Sequence, residues 1–177
     1  MPSFVGSLPR GYRQTYSLTL QRSYTAPVSD PRSFTIEREA TARCSVDLVM
    51  KHLLDATTWP AWQPEIISTN GPAKVVTGDI VSGTARMLGF GVEGRSVATK
   101  VGEDVFEEDV VVGVGMRVRY EVRPEGNGCR VIHRLESNMP TGVAGRVLAA
   151  FLRGRLKKMQ KTALERLVAQ SEAGSGS

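Results

Sequence analysis

The chain has few aromatic residues, histidines and cysteines, and it contains no long apolar run. Aromatics make up 6% of its 177 residues, with two histidines and two cysteines. No uninterrupted apolar stretch approaches the roughly 18 residues of a membrane-spanning helix. The N-terminus has no charged-then-apolar signal pattern. These absences predict a soluble, cytoplasmic protein. Two histidines with no HExxH spacing and no clustered carboxylates speak against a metal site, and nothing in the motifs calls for a cofactor. There is no Gly-x-Ser-x-Gly elbow and no phosphate loop, since Gly89, Gly91 and Gly94 fall in a strand-and-turn region rather than ahead of a helix. Cys44 and Cys129 lack metal-ligand spacing and read as reduced, buried thiols.

Charge is present but unevenly spread. The net charge of +5 divides into +3 over residues 1–33, −3 over 34–138 and +5 over 139–177. A nucleic-acid binder would interleave its basic residues with stacking aromatics. The basic C-terminal stretch holds one aromatic, Phe151, so nucleic acid is not an expected partner.

Periodicity orders the rest. Residues 1–33, interrupted by Pro2, Pro9, Pro27 and Pro31, read as a flexible arm. From Phe34 to Arg43 the alternation has period two, the mark of a half-buried strand. Ser45 then offers an N-cap with Asp47 in the first turn, and Val46, Val49, Met50, Leu53 and Leu54 fall at helical spacing. Pro60 and Pro64 restrict the next segment to a short turn or one helical turn. Strands are predicted near 66–75, 79–88, 91–101, 104–112, 115–123 and 129–138, separated by glycine-containing turns. The acids Glu103-Asp104 and Glu107-Glu108-Asp109 read as a solvated hairpin edge. A helix is predicted from Gly142 to about Gln170, with a stripe that includes Val147, Leu148, Phe151, Leu152 and Leu156. Residues 171–177 read as a flexible tail.

This order resembles the SRPBCC, or START-like, superfamily, and within it the polyketide cyclase/dehydrase and lipid transport group. The resemblance rests on FTIEREATARCSVDLVMKHLLDATTWPAWQPEI, with Trp-Pro-x-Trp after helix one, on GNGCRV in the last hairpin, and on MPTGVAGRVLAAFLRGRLKKMQKTALERL. It spans residues 34–170. It implies an α+β helix-grip fold: a seven-stranded curved antiparallel sheet wrapped around a long C-terminal helix, with two short helices after strand one. It also implies that the first and last strands pair, which would bring Cys44 near Cys129 and leaves open whether they are bridged. The family often has Ala-Pro after strand one where this chain has Arg43-Cys44.

The superfamily fold implies a cavity between sheet and helix, plugged at one end by Trp59 and Trp62. Alternation with Val131 and Leu135 turns His133 inward, and Tyr120 shares the inward face of Val118 and Val122. These two are the candidate acid/base groups. Arg86 on strand three and Leu148, Phe151 and Leu152 on the long helix complete the expected ligand contacts. Two functions are compatible with such a cavity. The first is non-catalytic binding or transport of a hydrophobic small molecule of lipid, polyketide or isoprenoid type. The alternative is a polyketide cyclase/dehydrase working through His133 and Tyr120. The basic face of the last helix could also touch an anionic membrane. Oligomeric state is not legible.

Overall fold

The computed structural model describes residues 33–87, 89–138 and 143–174. The expected arm, up to residue 32, and residues 175–177 of the expected tail lie outside the described residues. Seven strands are present: β1 (Ser33–Ala42), β2 (Ile66–Asn70), β3 (Ile80–Met87), β4 (Phe90–Val101), β5 (Val105–Val112), β6 (Val114–Glu125) and β7 (Gly128–Asn138). They form one antiparallel sheet in the order β1-β7-β6-β5-β4-β3-β2. The meander from β2 to β7 is built from short connections, and β1 closes beside β7 with Ile36 opposite Leu135 and Ala42 opposite Cys129. At the β5–β6 turn Gly113 has φ of +71°, a conformation that suits glycine.

Helix α1 (Val46–Leu54) starts where the sequence places it: the Ser45 hydroxyl accepts from the Leu48 amide at 3.4 Å. It ends at Asp55, whose carboxylate accepts from the Thr57 amide at 3.0 Å and starts a 3₁₀ turn over Ala56–Thr58. One turn of helix comes next, α2 (Trp59–Trp62), with Pro60 in its first turn, where no amide donor is needed. Strand β2 stops five residues before its expected end. Gly71-Pro72 breaks it, and the chain folds back so that the Val75 amide donates to the Leu54 carbonyl at 2.7 Å.

Helix α3 (Val143–Ala173) is about 46 Å long at 1.5 Å per residue. It packs mainly on β1 and also meets α1, α2 and β7. Its buried line runs through Ala149, Leu152, Leu156, Gln160, Ala163, Leu164, Leu167 and Ser171. The helix thus continues into the segment expected as tail. Ser171 is buried and donates to the Leu167 carbonyl, and Glu172 accepts from the Arg43 amide at 2.7 Å. Val147 and Phe151 belong to a different line from the one expected. Phe151 stands one position, about 100° of helical rotation, before Leu152. It is 59% exposed and Val147 is 65% exposed.

The outer face of the sheet is an ionic lattice. Arg117 pairs with Asp109 at 2.8 Å, Arg119 with Glu107 at 3.0 Å and with Glu121 at 2.8 Å, and Arg134 with Glu136 at 2.8 Å. Exposed pairs of this kind each add little stability. Here they match cross-strand register, Asp109 facing Arg117 and Glu107 facing Arg119, and so favour this alignment over slipped ones.

Candidate functional site

The inner face of the sheet is a grid set by register. One row reads Ala98, Glu108, Val118, Leu135, Ile36 across β4, β5, β6, β7 and β1; the next reads Phe106, Tyr120, His133 across β5, β6 and β7. Between this grid and α3 lies a cavity of about 160 Å³. Its walls are mainly apolar, with Trp59, Val110, Met116, Val118, Leu156 and Met159 among the lining residues.

A chain of rings leads from the plug to the cavity. Trp59 lies 6.0 Å from Phe106, and Phe106 lies 6.4 Å from Tyr120. Trp62 meets Tyr120 edge-on at 6.1 Å, and Tyr120 stacks on His133 at 4.2 Å with 12° between the planes. Trp59 is held by its indole N–H, which donates to the Leu53 carbonyl at 3.0 Å. Offset and edge-on aromatic contacts fix these rings with little rotamer freedom to lose.

Among the polar residues on the wall, three hold buried atoms without a partner. Glu108, His133 and Gln160 are each at least 95% buried and line the cavity. Glu108 has the Ser96 hydroxyl nearby, which favours its charged form, and keeps one oxygen, Oε2, without a partner. His133 has no partner at either ring nitrogen. Gln160 donates from Nε2 to the His133 carbonyl at 2.7 Å and to the Ile36 carbonyl at 3.3 Å. Two acceptors at Nε2 fix the amide orientation, so the unpartnered atom is the oxygen. Orphaned buried polar atoms are rare in folded proteins because each costs about 1–3 kcal/mol. Four of them line one cavity.

Burial sets the protonation of these groups. Desolvation raises the Glu108 carboxyl to about 7; the Ser96 hydroxyl partly opposes this and Asp109 adds to it. Desolvation alone lowers His133 to about 3, so the ring is neutral at physiological pH. Desolvation, and then the nearby Glu108 carboxylate, push the Tyr120 phenol well above its ordinary value.

Of the residues singled out in the sequence, Trp59, Tyr120 and His133 lie on the cavity wall. Trp62 is buried behind Tyr120, and Leu152 is buried in the helix–sheet core; neither is on the wall. Arg86 points to solvent, because the inward positions of β3 are Val81, Gly83 and Ala85. Phe151 faces away from the sheet because its phase on α3 differs from that of Leu152. The Leu148 side chain lies outside the described residues.

Glu108 is the main correction. β5 is the central strand, not an edge, and its alternation sends Glu107 and Asp109 to the outer arginines while Glu108 turns inward with Phe106 and Val110. That signal was present in the sequence as the period-two run Phe106, Glu108, Val110, Val112. Cys44 and Cys129 are free, buried thiols, and burial, more than the neighbouring thiol, pushes Cys129 up to about 11. Among the described residues no His, Cys, Asp and Glu group is arranged to hold a metal ion. No described helix is long and apolar enough to cross a membrane.

A curved antiparallel sheet closed over a long helix, with an internal apolar cavity, defines a helix-grip protein of the START-like superfamily. Residues 33–172 match the family described as polyketide cyclase/dehydrase and lipid transport, and the chain belongs to it. A comparison with curated proteins gives no match. Among solved structures, the di-domain aromatase/cyclase StfQ from the steffimycin biosynthetic pathway is similar at TM-score 0.69 and 16% identity, covering 82% of this chain and 52% of that one. The chain therefore spans about half the length of StfQ. The Zhui aromatase/cyclase from Streptomyces sp. R1128 matches at TM-score 0.68 and 13% identity, over 79% of this chain and 94% of that one. A START superfamily protein from Mycobacterium smegmatis matches at TM-score 0.58 and 16% identity, over 78% and 94%. At these identities the likeness is one of fold.

Proposed function

We propose that the protein binds an apolar small molecule of lipid, polyketide or isoprenoid type in the cavity between β4–β7 and α3. One observation carries this: orphaned polar atoms of Glu108, His133 and Gln160 sit on the walls of a mainly apolar cavity. A guest that brings its own polar groups satisfies them, and its apolar body covers the rings and methionines. Val118, between Glu108 and Leu135 in the grid, tests the idea. Val118→Phe is expected to fill the cavity at an overpacking cost of about 1–3 kcal/mol. It should cut affinity for an apolar fluorescent probe by about tenfold or more while circular dichroism stays native. Unchanged probe affinity would count against the cavity as the binding site.

A second reading, a polyketide cyclase/dehydrase, is favoured by the Glu108 carboxyl near 7, where a general base works best. In that reading Glu108 removes a proton next to a carbonyl and the Tyr120 phenol donates to the developing oxyanion. His133, neutral with its pKa near 3, positions substrate rather than exchanging protons. Turnover of an enolisable poly-ketone that disappears in Glu108→Gln while binding persists separates enzyme from carrier.

A peripheral contact with an anionic membrane is a further part of the proposal. Val147 and Phe151 form an exposed apolar pair, with Lys158 on the same line of α3 and Arg153 and Lys157 exposed beside it. Each cation near such a surface contributes about 1 kcal/mol. Co-sedimentation with anionic vesicles should fall steeply with salt and with Phe151→Glu, and equal binding to zwitterionic vesicles would refute the electrostatic part.

A further inference from the structure

We propose that the cavity selects a guest whose buried end is a hydrogen-bond donor, in particular a protonated amine seated against Glu108, and that it rejects free carboxylic acids. This selectivity rests on the binding function proposed for the same cavity. With Glu108 ionised, the orphaned atoms are weighted to acceptors: Glu108 Oε2, Gln160 Oε1 and one nitrogen of neutral His133, against a single donor, the other His133 nitrogen. A carboxylate guest would bring further acceptors and a second negative charge. An ammonium brings up to three donors and one positive charge.

The surroundings of Glu108 point the same way. The groups that act on it are Ser96 on β4, Asp109 beside it on β5 and Tyr120 on β6. His133 on β7 is neutral, and from α3 the cavity is lined by Leu156, Met159, Gln160 and Ala163, none of which titrates. The other charged lining residues are Glu65, paired with Arg155 at 3.5 Å, and Arg95, whose side chain is exposed on β4. Among the described residues no Lys or Arg pairs with Glu108, whereas the acids on either side, Glu107 and Asp109, are paired with arginines. Of the rings, Trp59 and Tyr120 line the cavity and supply the aromatic surface that suits a cation's apolar neighbours. When an ammonium guest binds, the proton held by Glu108 in the free protein goes to solvent. With a carboxyl pKa of about 7, that is about half a proton per site at pH 7.

The test uses the whole chain and three two-ring probes that differ only at one end: 2-naphthylmethylamine, 2-naphthylmethanol and 2-naphthoate, titrated calorimetrically in buffers of different ionisation enthalpy. The amine is expected to bind about tenfold or more tighter than the carboxylate, to release protons, and to gain affinity as pH rises from about 6 to 8. Glu108→Gln should abolish the proton release and the pH dependence and weaken the amine about tenfold, a larger loss than for the alcohol. Binding of the alcohol with naphthoate as tight as the amine, or an amine affinity unmoved by Glu108→Gln, would overturn the inference while leaving the cavity as a binding site. Failure of all three to bind would overturn both.

Discussion

Glu108→Gln is expected to make the ligand-free protein more stable at pH 8, by about 3 kcal/mol, and to leave it nearly unchanged at pH 4. The carboxyl goes from its ordinary 4.5 to about 7 on folding, and each unit corresponds to about 1.36 kcal/mol. Because the folded-state pKa is raised, the native state holds the proton more tightly. Its contribution is fully present below 4.5, is lost as pH rises through 7, and stays lost above that. Gln mimics the protonated acid in shape and in its donor, so it removes the penalty. Chemical denaturation of both proteins at the two pH values measures it; equal midpoints at pH 8 would show that Glu108 is not a buried, unpaired carboxylate. A variant that folds better and binds worse is the pattern expected of a group retained for ligand recognition.

His133→Phe should remove most of the protein's acid lability. The imidazole falls from 6.5 to about 3 on burial, so its neutral form contributes stability above 6.5 that is lost as pH drops toward 3. At pH 4 the loss is about 3 kcal/mol. Phe keeps the stack on Tyr120 and has no nitrogen to charge or to leave unpartnered. Between about pH 7 and 4.5 the gain from Glu108 and the loss from His133 have opposite slopes, so wild-type stability should be nearly flat there and fall below it. An unchanged acid-unfolding midpoint in His133→Phe would mean that the ring is hydrated in the native state.

The sequence was most legible where one period ran unbroken. The alternation through β6 and β7 turned Tyr120 and His133 inward, and both line the cavity. Ser45 marked the start of α1, and Trp-Pro-Ala-Trp formed one helical turn, within the short turn or single helical turn to which Pro60 and Pro64 limit this segment. It was least legible where residue type and geometry disagreed. Three consecutive acids look like a solvated patch, yet a strand divides them between two faces, and the middle one, Glu108, is buried. Phe151 and Val147 look like core residues, yet their phase on α3 carries them to solvent. Gln160 gave no polar signal because its role depends on two backbone carbonyls, of Ile36 and His133, that only the β1–β7 pairing brings together.

The central claim is that the guest lies inside, between the sheet and α3, against the unpartnered polar atoms of Glu108, His133 and Gln160. Intermolecular nuclear Overhauser effects from bound 2-naphthylmethanol test it most directly. Contacts to the methyl groups of Val110, Val118, Leu135 and Met159, which line the cavity, are the predicted result. Contacts confined to exposed Val147, Phe151 or Phe90 would contradict it.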